Sequence, residues 1–148
     1  MRENTQTEVM LEALCARLVD MAGVAESAIA DAILGLMDHN STFTREIRAE
    51  DFRVHQLWLA LERECIDALA SCPRNDFQVV RFVTGVMKIG LDVKHIGDEA
   101  KNIADRNTQL KYEAAVPQAE SLARMAEIVQ SMLNDAVDAF VNRDAREA

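Results

Sequence analysis

Glycine, proline and aromatic residues are scarce in this chain of 148 residues, which has five Gly, two Pro, five Phe, one Tyr and one Trp. Glycine and proline punctuate turns, and aromatic residues are enriched in strands. Strand signals, which would be short alternating runs bounded by turn residues, are nearly absent. Long stretches rich in Ala, Leu, Met, Ile and Glu favour helix instead. The composition therefore predicts an all-α protein of domain size.

The chain also lacks an excess of positive charge, long apolar runs and cysteines at the spacing of a metal site. The formal net charge of −9 argues against nucleic acid as a main ligand and against electrostatic docking on anionic lipid. No run approaches the roughly 20 apolar residues of a membrane span, and the first ten residues lack the apolar core of a signal peptide. The three cysteines favour buried small residues in a reducing compartment. We expect a soluble, cytoplasmic protein without membrane insertion.

Apolar residues recurring at helical spacing predict four helices. They run from about Glu8 to Asp38, from Thr44 to Ser71, from Asp76 to Asn107, and from Pro117 onwards. Pro73 forbids a continuous helix between the second and third. The predicted architecture is an antiparallel three-helix bundle over residues 1–107, a linker over 108–116 and a fourth long helix over 117–148.

The first and fourth helices resemble each other when the sequence is shifted by 104 residues. Convergent amphipathic patterning would explain the apolar matches alone, whereas the polar matches favour a true internal repeat. The pairs include Leu18 with Leu122, Met21 with Met125, Ala22 with Ala126, Ser27 with Ser131, and Asp31 with Asp135. The chain then contains one three-helix repeat and the first helix of a second.

The stretch KIGLDVKHIGDEAKNIADR, residues 88–106, carries the strongest candidate for a functional site. At 100° per residue, one polar stripe of the third helix is the expected solvent face. Its members are Arg81, Thr84, Lys88, Asp92, His95, Glu99 and Arg106. The expected inward line comprises Val80, Val83, Met87 and Leu91, continued by Lys94, Asp98 and Asp105. Charges along a buried seam need to be paired with each other, with a metal or with a partner.

Spacing from the turn at Pro73 places Asp51 and His55 of the second helix at nearly the height of Lys94 and Asp98. Two interpretations compete. One is a salt-bridged cluster in which Lys94 neutralises both aspartates. The other is a cation site in which Asp51, His55 and Asp98 bind zinc, iron or manganese, although Lys94 would repel the cation. The sequence contains no recognisable Ser/His/Asp or Cys/His catalytic arrangement. It also contains no phosphate-binding glycine loop, so we do not expect an enzyme.

The same stretch resembles the signature of the PhoU family, regulators of phosphate uptake, whose pattern is close to K-I-x-x-D-L-E-R-I-G-D-x-A-x-N-I-A. The similarity reaches back through Pro73, Cys65 and Asp51 into the first helix, and forward into the fourth. The signature matches are Lys88, Ile89, Asp92, Ile96, Gly97, Asp98, Ala100, Asn102, Ile103 and Ala104. By this resemblance Asn102, like Lys94, lines the predicted site.

The resemblance implies two tandem three-helix bundles, of which this chain has the first and one further helix. It implies a non-enzymatic cytoplasmic regulator that connects the phosphate ABC transporter to a sensor histidine kinase and often dimerises. Some members bind metal clusters through acidic pairs spaced four apart. Here His55 replaces an acid or Asn, and Lys94 replaces Glu. We therefore expect no required cofactor and at most one divalent ion, iron, zinc or manganese. The alternative is a helical metal-binding or structural dimerisation protein without a phosphate role.

The fourth helix has an apolar stripe that has to be buried, which leaves two outcomes. The helix folds back onto its own bundle, or it pairs with a second chain. A first bundle closed by three helices offers the fourth no groove, so we expect a homodimer. The stripe comprises Leu122, Met125, Val129, Met132, Leu133, Val137 and Phe140.

Overall fold

The computed structural model describes residues 2–37, 43–72, 76–110 and 118–143, with side chains from residue 6 in the first range and from residue 45 in the second. Four α-helices account for nearly all of these residues, which confirms the all-α prediction. They are α1 (Arg2–Met37), α2 (Phe43–Ser71), α3 (Phe77–Gln109) and α4 (Ala119–Asn142). In the described part of the chain no helix is long and apolar enough to cross a membrane.

The helices begin and end within two residues of the predicted positions except at two ends. The fourth helix was predicted to run to residue 148, but α4 ends at Asn142, where Arg143 in the left-handed conformation forms the C-cap. α1 begins six residues earlier than predicted, since the polar segment before Glu8 contains no glycine or proline to stop it. α3 begins after Asp76, whose carboxylate accepts a hydrogen bond from the Val79 amide at 3.1 Å, as an N-cap residue does. α3 runs to Gln109, two residues into the predicted linker. Pro73, Pro117 and residues 111–116 lie outside the described residues.

The helices α1, α2 and α3 pack against one another in pairs and enclose the core, as predicted for a three-helix bundle. Apolar residues of all three helices are almost completely buried there. The largest are Leu14, Leu18, Met21, Ile47, Val54, Leu61, Cys65, Val83, Val86 and Val93. Burying side chains of this size stabilises the fold by about 1.5–3 kcal/mol each.

The predicted solvent stripe of α3 is exposed at all seven positions, but the predicted inward line is partly wrong. Val80 and Leu91 are 41% and 40% exposed. The buried line instead passes through Val79, Val83, Val86, Gly90, Val93 and Gly97. Glycines mark the closest approach of two helices yet add no hydrophobicity to the pattern. Because the prediction relied on apolar side chains alone, it placed the inward line of α3 to one side of the line that is actually buried.

The fourth helix folds back and packs on α1. Leu133 and Val137 join the main core, so the expectation that a closed three-helix bundle offers no groove is wrong. Phe140 stacks on Phe82 of α3 with ring centroids 5.1 Å apart. The predicted burial of the whole stripe is nevertheless wrong. Met125, Val129 and Met132 stay exposed together with Ile128, and we call these four residues the α4 outer face.

Candidate functional site

The register between α2 and α3 is set by two glycines that face large side chains. A methyl group added at Gly97 would lie 3.3 Å from Val54, and one added at Gly90 would lie 2.6 Å from Leu61. The contacts thus repeat every seven residues on both antiparallel helices. Continued by three residues, this register places Asp51 level with Ala100. That is about one turn beyond the height expected from the turn at Pro73.

This register pairs Asp51 with a lysine that the sequence analysis did not consider. Lys101 Nζ lies 3.1 Å from Asp51 Oδ2. Side chains on a helix lean towards its N-terminus, so on antiparallel helices these two lean towards each other. A signal was available in the sequence. Lys101 follows Lys94 by seven residues, which returns it to within about 20° of the same helix face.

Two further ion pairs flank the Asp51–Lys101 pair. Lys94 Nζ lies 2.6 Å from Asp98 Oδ2, one turn along α3. Towards the N-terminal end of α2, the Arg48 guanidinium donates to Asp105 Oδ1 at 2.8 Å. We call these three pairs the charged seam. The side chains of the two lysine pairs are between 21% and 33% exposed, so they are partly shielded from solvent.

His55 and Asn102 take no part in the three ion pairs of the charged seam, although both belong to the predicted site. His55 is exposed on α2. Asn102 is exposed as well, and its Nδ2 donates to Glu99 Oε2 at 3.3 Å, towards the solvent stripe of α3. Of the predicted site residues, the charged seam therefore contains Asp51, Lys94 and Asp98.

The predicted ligand set of Asp51, His55 and Asp98 does not fit a metal ion. Among the residues that the structure describes, no three His, Cys, Asp or Glu side chains form a group that could hold a metal. Each aspartate has a lysine ammonium within 3.1 Å, where a cation would have to be. The lysines supply positive charge that a metal would otherwise provide, and the site has the chemistry of an ion-pair network.

A second polar feature, between α1 and α2, was not predicted. Glu50 Oε2 is buried and lacks a hydrogen-bond partner. Burial raises the pKa of Glu50, and the nearby carboxylates of Asp31 and Glu46 raise it further, against the opposing hydrogen bond from Ser27. The protonated form of Glu50 is thus favoured more than in water.

Asn107 is the one polar residue among the described buried residues, at 5% exposure. Its Nδ2 donates to the carbonyl oxygen of Gly35 at 2.6 Å and so connects the C-terminal turns of α1 and α3. The hydrogen bond satisfies an amide that would otherwise be costly to bury. The sequence marked Asn107 only as the end of a helix, since an asparagine near a C-terminus reads equally well as a cap.

The fold and the charged seam define a helical bundle in which ion pairs connect α2 with α3. A profile of the family described as "PhoU domain" matches residues 18–106, more than half of the chain. The chain belongs to the PhoU family, as the signature on α3 predicted.

Similar proteins cover nearly all of the chain. The phosphate-specific transport system accessory protein PhoU homolog of Pseudomonas putida is 30% identical over 141 residues, which are 95% of this chain and 55% of that protein. The homolog of Aquifex aeolicus is 31% identical over 90% of this chain and 60% of its own length. The crystal structure of PhoU from Pseudomonas aeruginosa superposes with a TM-score of 0.87 at 29% identity, covering 95% of this chain and 67% of that one. The chain thus spans a little over half the length of these curated relatives.

Proposed function

We propose that the protein is a non-enzymatic, cytoplasmic regulator of phosphate uptake that acts by contact with other proteins. The observation that carries this proposal is the superposition of 95% of the chain on a PhoU structure at a TM-score of 0.87. The curated relatives are named as accessory proteins of phosphate-specific transport systems. By that relationship, the partners we propose are the phosphate ABC transporter and a sensor histidine kinase.

The solvent stripe of α3 is the surface that we propose for these contacts. Lys88, Asp92, His95 and Glu99 are all exposed there and present both signs of charge. The opposite face of the same helix is fixed by Gly90 and Gly97 against α2, so the stripe is held on a rigid support. A rigid, mixed-charge stripe suits recognition in which charge complementarity selects the partner.

A complementation experiment tests the proposed function. The chain is expressed in a Pseudomonas strain deleted for its own PhoU homolog, and a phosphate-regulated reporter is measured at high and low phosphate. We expect the chain to restore the dependence on phosphate. The double variant Lys88→Glu with Asp92→Lys should lose this effect, because it reverses exposed charges that form no ion pair with the described residues.

The matched control is Arg63→Glu with Asp67→Lys, which makes the same exchange on the exposed surface of α2. It should behave like the unmodified chain. A chain that is folded and expressed but leaves the reporter unchanged would overturn the proposal. Equal effects of the two double variants would reject the α3 stripe as the contact surface.

We also infer that the protein is a homodimer that requires no cofactor. The dimer is supported by the α4 outer face, whose four large apolar side chains are between 43% and 63% exposed. The cofactor inference is supported by Lys94 and Lys101, which neutralise the aspartates of the charged seam.

A further inference from the structure

Two arginine side chains meet at one small cavity, at the end of the molecule where α3 begins and α4 ends. The cavity has a volume of about 330 Å³ and is lined by Gln78, Arg81, Phe82 and Arg143. Among the described residues, no Asp or Glu lines it. Its polar side chains are two guanidiniums and one amide, and all three can donate hydrogen bonds. The cavity therefore offers positive charge and donors to whatever enters it.

Neither arginine is neutralised within the described part of the chain. Five other cationic side chains form ion pairs there, but Arg81 and Arg143 form none. No acidic residue lies three or four positions from Arg81 on α3, or three or four positions before Arg143 on α4, which are the spacings at which helix side chains pair. The two like charges repel each other across the cavity, and a bound anion would remove that repulsion.

The position of Arg143 is fixed by its backbone and by an aromatic ring. Arg143 is the C-cap of α4, in the left-handed conformation with a φ of 55°, where glycine or asparagine is usual. Its guanidinium carbon lies 5.1 Å from the centroid of the Phe82 ring, in a cation–π contact. The guanidinium is thus held beside the cavity before a ligand arrives, which reduces the entropy cost of binding.

A contact between aromatic side chains brings the end of α4 to α3. Phe140 stacks on Phe82, and its ring lies 3.1 Å from the place that a methyl group at Gly85 would occupy. Arg143 follows Phe140 by about one helical turn and so comes beside Arg81. The site is built where α4 already reaches α3, about three turns from the α4 outer face. It therefore does not depend on what covers that face.

We propose that Arg81 and Arg143 bind a phosphoryl group, carried by free phosphate or by a phosphate monoester. A guanidinium presents its N–H donors in a planar fork that matches two phosphate oxygens. A phosphoryl group carries about 1.5 to 2 negative charges at pH 7 and so balances both arginines, whereas one carboxylate balances only one. The Gln78 amide supplies a further donor. The site needs no protein partner, so the inference goes beyond the function proposed above and does not rest on it.

A neighbouring cavity bears on which source the phosphoryl group has. This second, mostly apolar cavity of about 600 Å³ shares Phe82 and Arg143 with the first and extends along α1 past Leu11. A monoester with an apolar body would fill both cavities, with its phosphoryl group at the arginines. Free phosphate would use the first cavity alone. Glu8 and Glu12 also line the second cavity, so a second anionic group is disfavoured there.

A nuclear magnetic resonance titration of the full chain tests the proposal and locates the site. Inorganic phosphate is added at constant pH and ionic strength while amide spectra are recorded. We expect saturable shifts at Gln78, Arg81, Phe82 and Arg143, with a dissociation constant on the order of 1 mM, because the contacts are charge-assisted but exposed to water. Acetate should bind at least about fivefold more weakly, because it carries a single charge. Phenyl phosphate serves as the monoester.

Single substitutions identify the arginines. Arg81→Gln and Arg143→Gln should each raise the dissociation constant for phosphate about tenfold, since each removes one charged fork. Arg143→Lys keeps the charge but not the fork and should cost about threefold. Arg124→Gln is the matched control, because Arg124 is an exposed arginine of α4 without an ion pair to any described residue, and it should have no effect. The three arginines are exposed, so circular dichroism spectra should be unchanged.

The outcomes decide both the site and the ligand. The proposal is overturned if phosphate causes no saturable shift, or if Arg124→Gln weakens binding as much as Arg81→Gln does. Acetate that binds as tightly as phosphate would overturn the assignment of a phosphoryl group. Tighter binding of phenyl phosphate than of inorganic phosphate supports a monoester that uses both cavities, and the reverse order supports free phosphate.

Discussion

Two lysine side chains determine the chemistry of the charged seam. Without Lys94 and Lys101, Asp51 and Asp98 would be partly buried carboxylates on adjacent helices, which is a common beginning of a metal site. With the ammonium groups at 2.6 and 3.1 Å, the carboxylates are already neutralised. The residue types at two positions therefore decide between an ion-pair network and a cation site on the same backbone.

We predict that the unmodified protein binds at most one divalent ion per chain, and weakly. Lys94→Glu together with Lys101→Gln removes both ammonium groups and adds a carboxylate, so the affinity for manganese, zinc or iron should rise at least about tenfold. Isothermal titration calorimetry measures both forms. Lys88→Glu, the same charge change on the exposed stripe of α3, serves as the control and should not bind more tightly. Tight binding of several ions by the unmodified protein would contradict the prediction, as would an unchanged affinity in the double variant.

Glu50 should make the free energy of unfolding depend on pH. Its pKa is raised in the folded protein above the ordinary value of 4.5, so the folded state holds its proton more strongly than the unfolded chain. Glu50 therefore stabilises the folded state at pH values below its ordinary pKa. This stabilisation is lost as the pH rises through the raised pKa. Glu50→Gln should therefore stabilise the protein at neutral pH, by about 1 kcal/mol or less because the side chain is partly solvated.

Urea unfolding of Glu50→Gln and of the unmodified protein from weakly acidic to neutral pH tests this expectation. The difference between the two should grow as pH rises. Glu46→Gln, an exposed position one turn earlier on α2, is the control and should show a smaller difference. If Glu50→Gln is less stable than the unmodified protein at neutral pH, the ionised carboxylate of Glu50 has favourable hydrogen-bond partners in solution and the expectation is wrong.

At the scale of helices, the contact between α2 and α3 depends on glycine. A methyl group at Gly90 would lie 2.6 Å from Leu61 and 3.0 Å from Trp58, and Leu61 is completely buried, so it has little room to move. We predict that Gly90→Ala destabilises the protein by about 1–3 kcal/mol through overpacking. Gly23→Ala is the control: nothing lies within 4 Å of the added methyl group, so the gain in helix propensity should stabilise by up to about 1 kcal/mol. Urea denaturation of both variants measures the difference, and equal effects would reject the close packing.

The sequence predicted the helices well and the contacts between them less well. Most helix limits and the solvent stripe of α3 could be predicted from local patterns. Turn residues mark helix ends, and polar residues at helical spacing mark an exposed face. The register of α2 against α3 could not. This register depends on the contacts of Gly90 with Leu61 and of Gly97 with Val54. Counting residues from the loop at Pro73 gave a register that is wrong by about one helical turn. That shift is why Asp51 was expected beside Lys94 and is paired with Lys101.

In the molecule as a whole, α4 is held by fewer contacts than the other helices. It packs on α1, whereas α1, α2 and α3 pack on each other in all combinations. Elements with few buried contacts open at lower free energy than the global transition. We predict that amides of α4 exchange with deuterium at a lower opening free energy than those in the middle of α1, near Met21 and Ala25. Hydrogen exchange followed by mass spectrometry measures this, and equal protection in both helices would show that α4 is part of the same cooperative unit.

The position of α4 was only partly predictable, for a physical reason. Periodicity identifies the apolar side of a helix but not how much of that side a neighbour covers. Leu133 and Val137 were expected inward and are buried, while Met125 and Met132 belong to the same stripe and are exposed. The stripe is wider than the contact that α1 alone provides.

The central position of α1 has a consequence for how this protein can change in evolution. Ala22, Ala25, Ala28 and Ala32 are at most 3% exposed on a helix that three others surround, so a larger side chain at any of them would push neighbours apart. Few substitutions are tolerated there. The outer surfaces of α2, α3 and α4 carry no such restriction. Descendants of this chain can therefore acquire new partners by altering outer surfaces, while α1 keeps the architecture constant.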